Sequence, residues 1–176
     1  MSTPKVSFSD LEDAFLDSSY EHHYWLDRRA GEVLFVDSEI ARSLERGEDL
    51  SNAPKWQHDI IEQARRVLRG FGELPGQEDD DSEIELGRYV EIPKQESRDG
   101  YEDMVEFAET VTNPHLRDLL DVALRGKGAF RRFKDVLLGY PAERERWFEF
   151  EGRRERERIE AWAREKGVEI DFERRE

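Results

Sequence analysis

Apolar positions recur along this chain at two spacings, and the changes of spacing divide it into helices and strands. Phe8, Leu11, Ala14 and Phe15 fall three and four apart. They predict a short amphipathic helix from Ser7 to about Asp17, capped by Ser7 or Ser9, with Asp10 and Glu12 in its first turn. The rhythm then changes. Tyr24-Trp25-Leu26 and Val33-Leu34-Phe35-Val36 are β-favouring runs on either side of Asp27-Arg28-Arg29-Ala30-Gly31. A short loop with a late glycine between two such runs predicts a β-hairpin. Asp37 or Ser38 caps a second short helix that ends near Gly47.

Pro54 opens the most regular helix. Trp56, Ile60, Ala64, Val67 and Phe71 follow at near-helical spacing, with Gly70 and Gly72 as its stop. The segment 74–82 (LPGQEDDDS) is an acidic loop. Ile84, Leu86, Tyr89, Val90 and Ile92 read as a strand stopped by Pro93. Ser97 caps a helix carrying Tyr101, Met104, Val105, Ala108 and Val111. Asn113-Pro114 starts another, with Leu116, Leu119, Leu120, Ala123 and Leu124. Phe130, Phe133, Val136 and Leu137 share one face of the next. Pro141 then opens a long helix to about Lys166, with Trp147, Phe148, Ile159 and Trp162 as its apolar positions. Its middle, EGRRERER, has no apolar residue, so the helix should pack at both ends and be solvated between them. Val168 to Phe172 form a last short strand, and 173–176 a frayed tail. The expectation is an α+β fold. It is a helix-rich single domain over 7–172, with about six helices around a small antiparallel hairpin or sheet and a long charged C-terminal helix. Its expected core contains Trp56, Ile60, Val67, Phe107, Leu120, Phe130, Phe133 and Trp147.

Composition narrows the class. There is no cysteine, which removes disulfides and thiolate metal sites. No apolar run is long enough to span a bilayer, and the N-terminus lacks the basic and apolar regions of a signal peptide. These features point to a cytoplasmic protein with no membrane partner. The formal net charge is −15, so the overall field disfavours duplex DNA, and any polyanion contact needs a local basic patch.

Several phrases resemble an uncharacterised bacterial family, uncharacterised protein family 0158. They are Trp25-Leu26-Asp27 with Gly31-Glu32-Val33, then Arg88-Tyr89-Val90-Glu91-Ile92-Pro93. A third is Gly126-Lys127-Gly128-Ala129-Phe130-Arg131-Arg132-Phe133-Lys134-Asp135, and the last is Glu145-Arg146-Trp147-Phe148 with the charged helix after it. The resemblance spans about Phe8 to Phe172 and is sharpest at Gly126. It implies a shared architecture and no established activity, cofactor or catalytic residue.

The basic cluster is the candidate site. Gly126 and Gly128 precede a helix N-terminus, where exposed N–H groups and the dipole favour an anion. Lys127, Arg131, Arg132 and Lys134 can add charge-assisted bonds to phosphate or carboxylate. The competing reading makes Gly126 the residue that ends the Leu124 helix, with the arginines paired to the protein's own carboxylates. The spacing is not that of a P-loop. His22 and His23 are adjacent in a strand and point to opposite faces, so a shared metal is disfavoured. Glu78 to Asp81 lack an EF-hand pattern. Tyr20, Tyr24, Trp25 and Phe35 read either as a base-stacking platform or as hairpin packing. No catalytic, cofactor or metal motif is present. Three functions remain. The leading one is a non-enzymatic interaction protein with a protein or ribonucleoprotein partner. The second is an anion- or nucleic-acid-binding protein using 126–134. The third is an enzyme acting on a phosphorylated small molecule.

Overall fold

Elements form where the apolar rhythm changes. A computed structural model describes residues 2–78 and 81–174. Asp79 and Asp80 of the acidic loop and the last two residues of the tail lie outside the described residues. Among those described there are seven α-helices, a three-stranded antiparallel sheet and a parallel strand pair, an α+β architecture. Chain contacts divide it into two compact units, residues 1–94 with 159–176 and residues 95–158.

The first unit is built on the hairpin. Strands β2 (His22–Asp27) and β3 (Glu32–Asp37) pair with Tyr24 opposite Phe35 and Trp25 opposite Leu34. The alternation sends Trp25, Leu34 and Val36 to one face and Tyr24, Leu26 and Val33 to the other. Both faces are covered. The first packs on helices α2 (Ser38–Glu45) and α3 (Lys55–Phe71), with Ile61, Ala64, Val67 and Leu68 buried. The second packs on helix α1 (Phe8–Leu16), through Leu11, Ala14 and Phe15, and on Ile159 and Ala163. Ser7 caps α1 by accepting from the Asp10 N–H, and Asp37 caps α2 through the N–H groups of Glu39 and Ile40.

Two strands came out differently from the sequence reading. The segment at 84–92 forms only a short third strand, β4 (Tyr89–Glu91), which pairs with β2. Leu86 is exposed, and Ile84 lies over Gly72. The apolar spacing there marks local packing rather than a ladder. Lys5–Ser7 (β1) is a strand that the sequence did not announce. It pairs in parallel with the expected final strand β5 (Glu169–Asp171), Val6 opposite Ile170.

Trp56 is 70% exposed and Ile60 half-buried, against expectation. The buried stripe of α3 starts a turn later, at Ile61, so the first turn projects beyond the sheet. Gly70 does not end α3. It lies inside the helix, where a Cβ would meet the Tyr89 ring at 2.4 Å, so its absence of a side chain lets β4 approach. Gly72, in the left-handed region, ends the helix.

The second unit is helical. Helix α4 (Ser97–Thr110) starts one residue earlier than foreseen, with Glu96 at its N-cap and the Asp99 side chain accepting from the Glu96 N–H. Asn113 caps α5 (Pro114–Ala123), as its sequence predicts. Helix α6 spans Ala129–Leu137 and α7 spans Pro141–Glu165, the residues of α7 from Ile159 on belonging to the first unit. The core of the second unit joins Met104, Phe107, Leu116, Leu120, Phe133, Leu137 and Trp147. Phe133 and Trp147 meet edge-to-face with centroids 5.0 Å apart, and Phe107 and Trp147 at 5.3 Å. Phe130, expected in this core, is 42% exposed. Ala129 takes the buried position beside Phe133 instead, because the helix begins at Ala129 and its inward line runs 129, 133, 137.

Candidate functional site

The cluster at 126–134 lies on the turn between α5 and α6 and on the outer face of α6. Gly126 and Gly128 have φ of 76° and 78°, and space beyond each is open. Both use conformations that most L-residues avoid. Gly128 is the N-cap of α6, and the helix has neither a capping side chain nor an acid in its first turn. Lys127, Arg131, Arg132 and Lys134 are all exposed. Arg131 pairs loosely with Asp135, at 3.9 Å, and Arg132 turns back to donate to the Arg125 carbonyl. Among the described residues, Arg125, Lys127, Arg132 and Lys134 make no direct ion pair. Arg66, Arg88, Arg146 and Arg154 are each held by one or more carboxylates, whereas Arg117, Arg144 and Arg153, like the cluster, make no direct ion pair among the described residues.

A groove of about 410 Å³ adjoins this face. Lys134, Asp135 and Leu137 of α6 and its C-cap Leu138 line one side, and Arg144, Trp147, Phe148 and Glu151 of α7 the other. Leu138 is 61% exposed and Phe148 45%, so of the adjacent apolar pair in α7 only Trp147 is buried. The Arg144 guanidinium sits over the Phe148 ring, 5.1 Å from its centroid. Burial raises the Glu151 carboxyl above its ordinary value, and the Lys134 charge opposes that rise. The groove thus offers an apolar floor between two cations, with the carboxylates of Asp135 and Glu151 beside them, the latter partly desolvated.

The other candidates resolve into structural contacts. His22 bonds Asp17 at 2.7 Å and His23 bonds Glu91 at 3.1 Å, on opposite faces of the sheet. Tyr24 also donates to Asp17, at 2.7 Å. Bonds from the Ser19 N–H, Tyr24 and His22 outweigh burial and lower the Asp17 carboxyl to about 2. Tyr24 and Phe35 pack together, centroids 5.4 Å apart, Trp25 packs on Phe71, and Tyr20 stands alone in solvent. Among the described residues, no group of three His, Asp or Glu is arranged to hold a metal ion.

The chain matches the model of Uncharacterised protein family (UPF0158) over residues 75–175, more than half its length. It belongs to that family. No curated protein and no solved structure matches it. The UPF0158 match contains the Arg88, Gly126 and Glu145 phrases and leaves the hairpin phrase outside it.

The structure nevertheless joins the hairpin phrase to the UPF0158 segment. Asp27, fully buried, accepts from Arg88 Nε at 2.9 Å and Nη2 at 2.8 Å, and from Arg66 at 3.0 Å. The N–H groups of Arg29 and Ala30 complete its shell. Burial alone would raise this carboxyl, but the Arg88 bonds and the turn N–H groups hold it below its usual value. A second buried acid was passed over in the sequence reading. Asp103 is 1% exposed on the inward face of α4, and Arg154 and Arg158 reach it from the charged middle of α7. That middle is therefore not simply solvated. The missed signal was an acid at the 103, 104, 107, 108 and 111 spacing of buried residues in α4.

Proposed function

We propose that this UPF0158 protein is an interaction protein, and that the outer face of α6 with the 126–134 turn binds an acidic, apolar-bearing segment of a protein partner. One observation carries the reading: in a chain with 43 acidic residues, Arg125, Lys127, Arg132 and Lys134 lack direct ion pairs among the described residues. Cations with no carboxylate in direct contact, next to exposed apolar side chains, are suited to an external anion. The groove beside Lys134 supplies the apolar half, with Leu138 and Phe148 as exposed anchors. Lys127 and Arg131 supply the charge-assisted half. The protein's own excess negative charge repels long polyanions, so a short segment is favoured over an extended nucleic acid.

The test is fluorescence anisotropy with a labelled peptide of Asp, Glu, Leu and Phe. A peptide with Lys in place of the acids and a short single-stranded RNA serve as comparisons. The acidic peptide should bind the wild-type chain and lose its affinity in the K127E/R131E double variant. Both side chains are exposed, so circular dichroism should show the fold retained. Binding of the RNA in place of the peptide would move the function to nucleic acid, and binding of neither would leave the cluster without this role.

A further inference from the structure

A second pocket, of about 310 Å³, opens in the first unit between the sheet and the ends of α2 and α3. Its floor is apolar, with Val36 and Leu68 buried and Trp25 and Phe71 meeting edge-to-face at 5.2 Å. Two carboxylates stand at its rim, Glu45 and Glu73. Glu45 is the last residue of α2, and Glu73 follows Gly72, the C-cap of α3. Two helix C-termini therefore turn the negative ends of their dipoles toward the same opening. Among the described residues, neither glutamate has an ion-pair partner. Partial desolvation raises the Glu73 carboxyl, and the Glu45 charge adds to that rise. The nearby cations are engaged elsewhere. Arg42, which also lines the pocket, pairs with Glu21 at 3.5 Å, Arg69 in the last turn of α3 pairs with Glu83 at 3.5 Å, and Arg46 pairs with Glu48. His23 at the pocket edge bonds Glu91.

We propose that this pocket binds a small organic amine, its ammonium between Glu45 and Glu73 and its apolar body against Trp25 and Phe71. The electrostatics select the occupant. A cation relieves the repulsion between the two glutamates and is favoured by both helix ends, whereas an anion meets both glutamates and both helix ends, with Arg42 already paired to Glu21. The aromatic walls favour an aromatic or branched body. The volume lies at the lower end of small-molecule sites, which fits a compact ligand. The site is independent of the α6 surface, so either assignment stands or falls alone.

The experiment is a ¹H–¹⁵N NMR titration of the full chain with 2-phenylethylamine at neutral pH. Two matched comparisons, 2-phenylethanol and phenylacetate, keep the body and change the charge. The amine should shift the amides around Glu45 and Gly72–Glu73 and the Trp25 indole N–H. It should bind about tenfold or more tightly than the alcohol, the scale of one partly desolvated charge-assisted bond, and phenylacetate should bind least. E73Q, at an exposed position after the helix, should weaken the amine by severalfold and leave the alcohol unchanged. Equal affinity for amine and alcohol, or no amide movement at tens of millimolar amine, would overturn the proposal without reference to any variant.

Discussion

Replacing Asp103 by alanine should be one of the most costly single changes in the second unit. Asp103 is 1% exposed and accepts from Arg154 Nε at 3.2 Å and from Arg158 Nη2. Its removal has unequal consequences for the two arginines. Arg154 keeps Glu106 at 3.1 Å and Glu157 at 3.6 Å. Arg158 keeps a single bond among those defined, to the Asp99 carbonyl at 3.3 Å, and its Nη1 is already buried without a hydrogen-bond partner. The variant thus leaves a guanidinium three-quarters buried, at 25% side-chain exposure, with only the more distant charges of Asp99 and Glu155 to balance it. Breaking a buried pair from one side costs about 3–5 kcal/mol. Residual solvent at both arginines places this case at the lower end, about 3 kcal/mol. The double variant D103L/R158M removes both charges with apolar replacements and should recover most of the loss, because the desolvation cost of the pair disappears with it. Urea unfolding followed by circular dichroism gives the global change. Hydrogen exchange at Met104, Phe107 and Ala108 reports on the helix that carries Asp103. A loss below about 1 kcal/mol in D103A would refute the reasoning, since it would place Arg158 in water rather than in the protein.

Two further outcomes follow from the same structure. Phe133 is fully buried against Phe107 and Trp147, so F133A should cost about 3–5 kcal/mol, and urea unfolding that shows a loss below about 1 kcal/mol would contradict that packing. Asp17 is held at about 2, below its ordinary 3.8, so its contribution is complete above pH 4 and is lost as pH falls through 2. In thermal melts the advantage of wild type over D17N should therefore shrink between pH 4 and pH 2, and a gap that stays constant across that window would remove Asp17 as the cause.

Most of the secondary structure was determined by the sequence alone, because its signals are local. The hairpin, the Asn113-Pro114 start of α5, the stop at Gly72 and the α+β class all depend on neighbours within a few residues, whereas the strand register and the choice of Ser7 over Ser9 and of Asp37 over Ser38 came with the structure. The basic cluster at 126–134 was legible for the same reason, as an acid-free run in an acidic chain. What covers each face is not local, and there the tertiary structure decided. Trp56 and Phe130 fit a helical period as well as Ile61 and Ala129 do, yet only the latter are buried. The parallel pairing of β1 with β5 joins segments more than 160 residues apart, which no window of sequence reports. Among the described residues, the lack of a direct ion pair at Lys127 and Lys134 likewise becomes visible only once the carboxylates around them have been placed. Asp103 shows the limit most clearly. An acid on an apolar face looks like a surface residue until Arg154 and Arg158, some fifty positions later, arrive to neutralise it. Burial of a charge is permitted only by partners, and partners are supplied by the fold.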